Sequence, residues 1–223
     1  MKILAVDTAL GACSTALLDG ETVLAHMLVP MERGHAEALA PMVEEVMRKA
    51  GVPFSALDQL AVTTGPGTFT GQRVGLAFMR GLKVALRKPL IGVTKLSAMA
   101  AQAMAETKSG LAAALHDARR GEVYFGLRDG ARDVIAPAIA PLDDAVAQIF
   151  ASCAGRPPAL AGTAGESAAS LLAAKGLRTT LSTVRHPDAL YAARLARLAP
   201  EAKETPRPLY LRPSDARLPG SNP

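Results

Sequence analysis

The chain has 223 residues, a formal net charge of +5 and 20% charged residues, with no tryptophan and only 4% aromatics. That length allows one large or two small domains whose cores must be aliphatic. No apolar run approaches the roughly 20 residues of a membrane span, Asp7 interrupts the N-terminal apolar stretch before a signal-peptide core forms, and Cys13 and Cys153 fall in no metal or redox spacing, so a cytoplasmic protein with no membrane partner is expected.

Residues 2–6 form an apolar run ending at Asp7 and read as a strand, followed by a turn over 8–14. Strands at 15–18 and 22–28, joined by the hairpin signal Asp19-Gly20, complete a three-stranded meander. His35–Ala50 spaces Leu39, Val43, Val46 and Met47 helically, and Gly51 stops that helix. A strand near 60–64, a helix over 71–86, a strand over 91–93 and a helix over 95–105 follow. After Ser109-Gly110 the order partly repeats: strands at 111–115, 122–128 and near 134–136, a helix over 142–151, a strand at 159–162, the helix Gly165–Ala174 and a strand at 177–183. A last helix at 188–198 leads into a Pro-rich tail, 206–223.

Between the fourth strand and its helix lies TTGPGTFTGQRVG, residues 63–75. A Walker loop needs Lys and then Ser/Thr after its last glycine, but Gly71 is followed by Gln72 and Arg73; a dinucleotide fingerprint needs glycine where Thr70 stands. What remains, Gly65, Gly67, Thr68 and Gly71, is open to two readings. One is an anion site at a helix N-terminus, with Asp7 nearby; the other is turn geometry set by glycine and Pro66.

Two halves of similar wiring, with Asp7 and Asp117 each closing a first strand, predict an α/β protein of two duplicated ribonuclease-H-like units. Such lobes make the actin, sugar kinase and Hsp70 (ASKHA) fold. Expected boundaries are 1–108 for the first lobe, 109–186 for the second, and 187–223 for a helix and tail that return to the first lobe through Leu209, Tyr210 and Leu211.

KILAVDTALGACSTALL, ERGHAEALAPMVEEVM, GPGTFTGQRVGLAFMRGL, HDARRGEVYFG and PLYLRP, spread over nearly the whole chain, resemble the TsaB (YeaZ) family. The resemblance implies a non-catalytic partner of a TsaD-like transferase, assisted by a TsaE-like ATPase, in forming threonylcarbamoyladenosine beside the anticodon of tRNAs that read codons beginning with A. It implies a heterodimer with TsaD, a homodimer when alone, and tRNA held through the complex. It also implies no cofactor of the chain's own, ATP or ADP at or near the partner interface, and a metal that belongs to the TsaD-like partner.

The residues support a non-catalytic role. TsaD-like transferases hold metal with a His-x-x-x-His pair, whereas His26, His35, His116 and His186 form none. Cys13 reads as a buried filler rather than a nucleophile, and no catalytic residue is expected. Asp7 and Asp117 read either as acids of an actin-like ATPase or as caps after a strand, so an autonomous ATPase or small-molecule kinase is the alternative. Partner-docking residues are expected on two helices: His35, Glu37, Leu39, Met42, Val43 and Val46 on the first, and Gly71, Val74, Gly75, Phe78, Gly81 and Leu82 on the second, where small residues permit close helix approach. Arg207, Arg212 and Arg217 of the tail are expected to remain free for phosphate.

Overall fold

In the computed structural model, which describes residues 1–199 and 204–212, two five-stranded sheets share one connectivity. The first takes the order β3-β2-β1-β4-β5 from β1 (Lys2–Leu10), β2 (Ala12–Asp19), β3 (Thr22–Pro30), β4 (Gln59–Thr63) and β5 (Leu90–Val93). The second takes β10-β9-β6-β7-β8 from β6 (Leu111–Asp117), β7 (Glu122–Asp129), β8 (Arg132–Pro141), β9 (Ala159–Ala161) and β10 (Thr180–Leu181). In each, a three-stranded antiparallel meander continues into two parallel strands. The duplication expected from the sequence is present.

Period-two alternation decides what covers each face. Leu4 and Val6 of β1 point towards α1 (His35–Ala50) and α2 (Phe69–Leu86), meeting Val43, Val46, Leu76 and Met79. Ile3 and Ala5 point the other way, onto the alanines 189, 192, 193 and 196 of α6 (Ala189–Leu198). In the second sheet, Ala113 and Leu115 face α4 (Leu142–Cys153) and α5 (Gly165–Ala174), while Ala112 and Ala114 face α3 (Lys95–Thr107). The two halves therefore exchange a helix. α3 closes the first run of the chain yet packs on the second sheet, and α6 ends the second run yet packs on the first. Alanine on both partners lets these two helices lie together between the sheets.

The expected turn over 8–14 is instead strand on both sides of Gly11, with the β1–β2 register shifting between Asp7 and Leu10. Polar residues remain in this strand because each finds an internal partner: Thr63 for Asp7, and Gly71 and Gly75 for Thr8. The expected strand over 177–183 shortens to two residues, and β8 is longer than expected.

Candidate functional site

The ends of β1, β4 and β6 meet the starts of α2 and α3 at the junction of the two lobes. Asp7 is fully buried there; one carboxylate oxygen accepts from the Thr63 hydroxyl and the other from the Ala9 amide at 3.4 Å. Lys95, in the first turn of α3, is fully buried as well, and its ammonium donates to the Ala9 carbonyl at 2.7 Å. Burial raises the Asp7 carboxyl while the Lys95 charge opposes that rise; burial lowers the Lys95 ammonium while Asp7 opposes it. For both groups burial is the larger influence and their mutual attraction the smaller one.

The glycine loop is built around this pair. Gly65 takes φ +121°, a conformation that side chains rarely adopt, and its carbonyl accepts from the Lys95 amide at 2.8 Å. A Cβ at Gly67 would lie 2.0 Å from Lys95 Nζ, and one at Gly71 would lie 2.5 Å from the Thr8 carbonyl oxygen. Two loop amides are already committed, Thr68 to the Ala9 carbonyl and Gly71 to the Thr68 hydroxyl that caps α2. The loop is thus a turn that brings α2 against β1. Asp7 and Gly65 are buried and face inward, while Gly67 is half-buried at the loop's edge.

Thr68 and Gly71 do line an open cavity of about 740 Å³, together with Leu10, Gly11, the segment Glu32 to Glu37, Thr70, Val74 and, from the second lobe, Arg119. It brings together the N-terminal ends of α1 and α2. His35 is fixed at its edge: its Nε2 lies 2.9 Å from the Leu10 carbonyl, which can only accept, so Nε2 carries the proton.

The expected docking residues divide into two groups. Leu39, Met42, Val43 and Val46 are buried in the first lobe's core, and Gly71 and Gly75 press on β1, where a Cβ at Gly75 would lie 2.7 Å from Thr8 Oγ1. In the free chain their small size or helical spacing serves packing within the lobe, Gly71 also edging the cavity. Glu37 and Gly81 are exposed, and His35, Val74, Phe78 and Leu82 are half-buried. A Cβ at Gly81 meets nothing within 4 Å, so the small-residue row that reaches solvent is Ala77, Gly81 and Ala85.

Elsewhere, burial and then the Asp7 carboxylate push the Cys13 thiol up to about 11, consistent with a filler rather than a nucleophile. Asp117 is exposed, its carboxylate accepting from the Arg119 amide at 2.7 Å. In the tail, the Leu209 amide donates to the Thr64 carbonyl at 2.7 Å, while Arg212 is bound to the Ala118 carbonyl and Glu122 and is not free for phosphate. Arg217 lies outside the described residues. Lys95 is the site residue that sequence reasoning missed. A cation in the first turn of a helix opposes the helix dipole, and that conflict was the available signal.

Among the described residues no helix is long and apolar enough to cross a membrane. The family model for TsaD, tRNA N6-adenosine threonylcarbamoyltransferase, matches residues 27–199. The tRNA threonylcarbamoyladenosine biosynthesis protein TsaB of Haemophilus influenzae is 33% identical over 95% of this chain and 94% of its own length. The Escherichia coli protein of that name is 41% identical over 56% of this chain, a match spanning about half of that relative, 54%. A Pseudomonas aeruginosa protein described as similar to peptidase YEAZ superposes with a TM-score of 0.80 at 31% identity, over 95% of this chain and 99% of that one. A ROK hexokinase from Thermus thermophilus, at 16% identity and a TM-score of 0.57 over 89% and 99% of the two chains, shares the fold alone, which places the two sheets in the sugar kinase and actin-like class. The chain belongs to the TsaD-type family and, within it, to the TsaB (YeaZ) proteins of tRNA threonylcarbamoyladenosine biosynthesis.

Proposed function

We propose that the chain is a non-catalytic subunit of a tRNA threonylcarbamoyl transferase, docking on a TsaD-like partner that holds the metal and carries out the transfer. The observation that carries this reading is Lys95. Its ammonium lies buried beside the cleft acid Asp7, packed under Gly67, where an actin-like enzyme would need an accessible carboxylate. The lysine and the acid are both buried, and the loop closes over them. Docking is assigned to the outer face of α1 and α2, where Ala36, Ala40, Ala77, Gly81 and Ala85 are exposed and Val74 and Phe78 half-exposed. Small side chains there let two helices of a partner approach closely.

The same face serves a homodimer when the partner is absent. A TsaE-like ATPase joins the assembled pair, and ATP or ADP occupies the cavity at the starts of α1 and α2, beside Thr68, Arg33 and Arg119. Purified chain mixed with a TsaD-like transferase should co-sediment, and only the mixture should yield the modified nucleoside, read by mass spectrometry of digested tRNA. Gly81→Leu should weaken docking roughly 5- to 150-fold and leave the isolated chain folded. ATP turnover by the chain alone, abolished by Asp7→Asn, would overturn the reading in favour of an autonomous enzyme.

A further inference from the structure

The flank of α2 turned away from α1 carries a row of charge that docking does not use. From Phe69 to Lys88 the sequence contains Arg73, Arg80, Lys83, Arg87 and Lys88 and no acidic residue. Arg73, Arg80 and Arg87 recur every seven positions, so they fall within about 40° of one another around the helix and rise about 21 Å along it. Of the docking face, Gly81 and Ala85 lie roughly 80–120° round the helix from Arg73, while Ala77, about 40° away, borders the row.

The C-terminal segment 204–212 runs beside this row and holds it with neutral acceptors. Arg73 Nε donates to the Tyr210 hydroxyl at 2.9 Å, Arg80 to the Pro206 carbonyl at 2.5 Å, and Lys83 to Thr205 Oγ1 at 2.6 Å. None of these bonds cancels charge. Among the described residues no cation of the row forms an ion pair. The segment adds the exposed Arg207, and a groove of about 550 Å³ runs between Arg80, Lys83, Val84, Thr205 and Arg207, with Glu204 as its one carboxylate among the described residues.

At the upper end of the row the aromatic side chains of Phe69 and Tyr210 stack at 5.6 Å with 26° between their planes, 51% and 47% exposed. The Arg73 guanidinium lies 3.4 Å from the Phe69 ring centre. This is two of only eight Phe and Tyr in the chain, in a protein without tryptophan. An exposed aromatic pair beside arginine offers a planar surface to an unstacked base, and a row of uncompensated cations offers contacts to successive phosphates.

We infer that this flank binds RNA, with the backbone along Arg80, Lys83, Arg87 and Arg207 and an unpaired base on Phe69 and Tyr210. The inference rests on the chain's place in a tRNA-modifying complex and assigns part of the tRNA contact to this subunit itself. An acidic peptide would use the cations but gain nothing specific from the ring pair. The outer side of α1 is mixed, Glu37 and Glu44 being followed by the exposed Arg48 and Lys49, and offers a polyanion no comparable row of unopposed cations.

The test is binding of a fluorescent 17-nucleotide anticodon stem-loop RNA to the full chain, alone and in complex with a TsaD-like transferase, across a salt series. Arg87→Glu with Arg207→Glu, two exposed side chains, should weaken binding at least tenfold and flatten the plot of log affinity against log salt by about 1.5. Phe69→Ala should weaken it roughly fivefold or more with the slope unchanged. Co-sedimentation with the transferase should remain normal in all variants. Unchanged RNA affinity and slope in both variants overturns the inference while leaving the docking reading intact. Competition by poly-glutamate that matches RNA in wild type and Phe69→Ala alike also overturns it, because the flank is then a site for an acidic protein. Loss of docking in the wild type would instead fall on the proposed function.

Discussion

The two lobes share a topology, yet the acids that end their first strands meet opposite fates. Asp7 is sealed beneath a glycine loop beside the buried Lys95 side chain, whereas Asp117 is exposed and holds the backbone of the following turn. The source of the difference is the helix that each half lends to the other. Both crossing helices begin with a side-chain cap, Thr94 for α3 and Asp188 for α6, but the residue after the cap is Lys95 in one and Ala189 in the other. One long side chain turns a cleft acid into part of the core. Duplication thus conserves the frame, while the loop and the buried lysine that cover the acid belong to the first lobe alone among the described residues.

The largest expected effect comes from breaking the closed side. Lys95→Met leaves Asp7 buried without its cation and should cost about 3–5 kcal/mol, lowering the midpoint of thermal unfolding by roughly 10 °C. Adding Asp7→Asn should recover most of that loss, since removing both charges of a buried pair is far less costly than removing one. A double-mutant cycle by chemical denaturation measures the coupling. A single-variant loss under about 1 kcal/mol would mean that the lysine does not hold Asp7 as a carboxylate.

The glycines at the starts of α2 and α5 give the next contrast. A Cβ at Gly71 would lie 2.5 Å from the Thr8 backbone carbonyl, while one at Gly165 would find only ordinary contacts at 3.8 Å. Gly71→Ala should therefore cost about 1–3 kcal/mol through overpacking. Gly165→Ala should be neutral or stabilise by up to about 1 kcal/mol, because alanine favours helix. Equal costs would show that the second lobe is packed as tightly as the first.

Much of the frame was legible because burial leaves periodic signals. The repeat of meander and alternating helices, the stop at Gly51 and the start of the last helix near 188 are local patterns, and the structure contains them. The site was less legible. Leu39, Val43 and Val46 have the helical spacing that either a core or an interface requires, and only burial separates the two. Gly71 and Gly75 were equally ambiguous: a small residue marks a close approach but not which neighbour approaches. Nor could spacing show that α3 crosses to the other sheet and carries Lys95 under the loop of the first, since that contact spans 86 residues.

A smaller effect is pH-dependent and belongs to the second lobe. Burial first, then the charges of Lys95 and His186, hold His116 down at about 4, while Asp117 works in the opposite direction. An unfolded histidine titrates near 6.5, so below that pH the unfolded chain takes up a proton that the folded protein refuses. The contribution is fully present above about 6.5 and is lost as pH falls towards 4; for this half-buried ring it amounts to about 1–2 kcal/mol. His116→Gln should flatten the dependence of thermal stability on pH across that window. The depressed carboxylates Asp19, Glu45, Glu106 and Asp129 act alike in both proteins and cancel in the difference. Parallel curves for the two proteins would show that His116 titrates normally when folded.

The smallest effect is expected at the open acid itself. Asp117 accepts from the Arg119 amide, and that bond steadies a turn in which Arg119, Arg120 and Gly121 all have positive φ. Asp117→Asn retains a carbonyl oxygen for the same amide and removes only a solvated charge, so stability should change by no more than about 0.5 kcal/mol. Asp7→Asn, measured alongside, should cost several times more, because its amide must replace a carboxylate in full burial beside Lys95. Matching costs at the two positions would dissolve the contrast between closed and open junctions. A different failure would be more informative: normal stability of Asp117→Asn together with loss of an ATPase activity of the isolated chain. In that case the exposed acid of the second lobe, not the sealed one of the first, would be the working group of an enzyme, and the role of Lys95 would be to silence only half of the cleft.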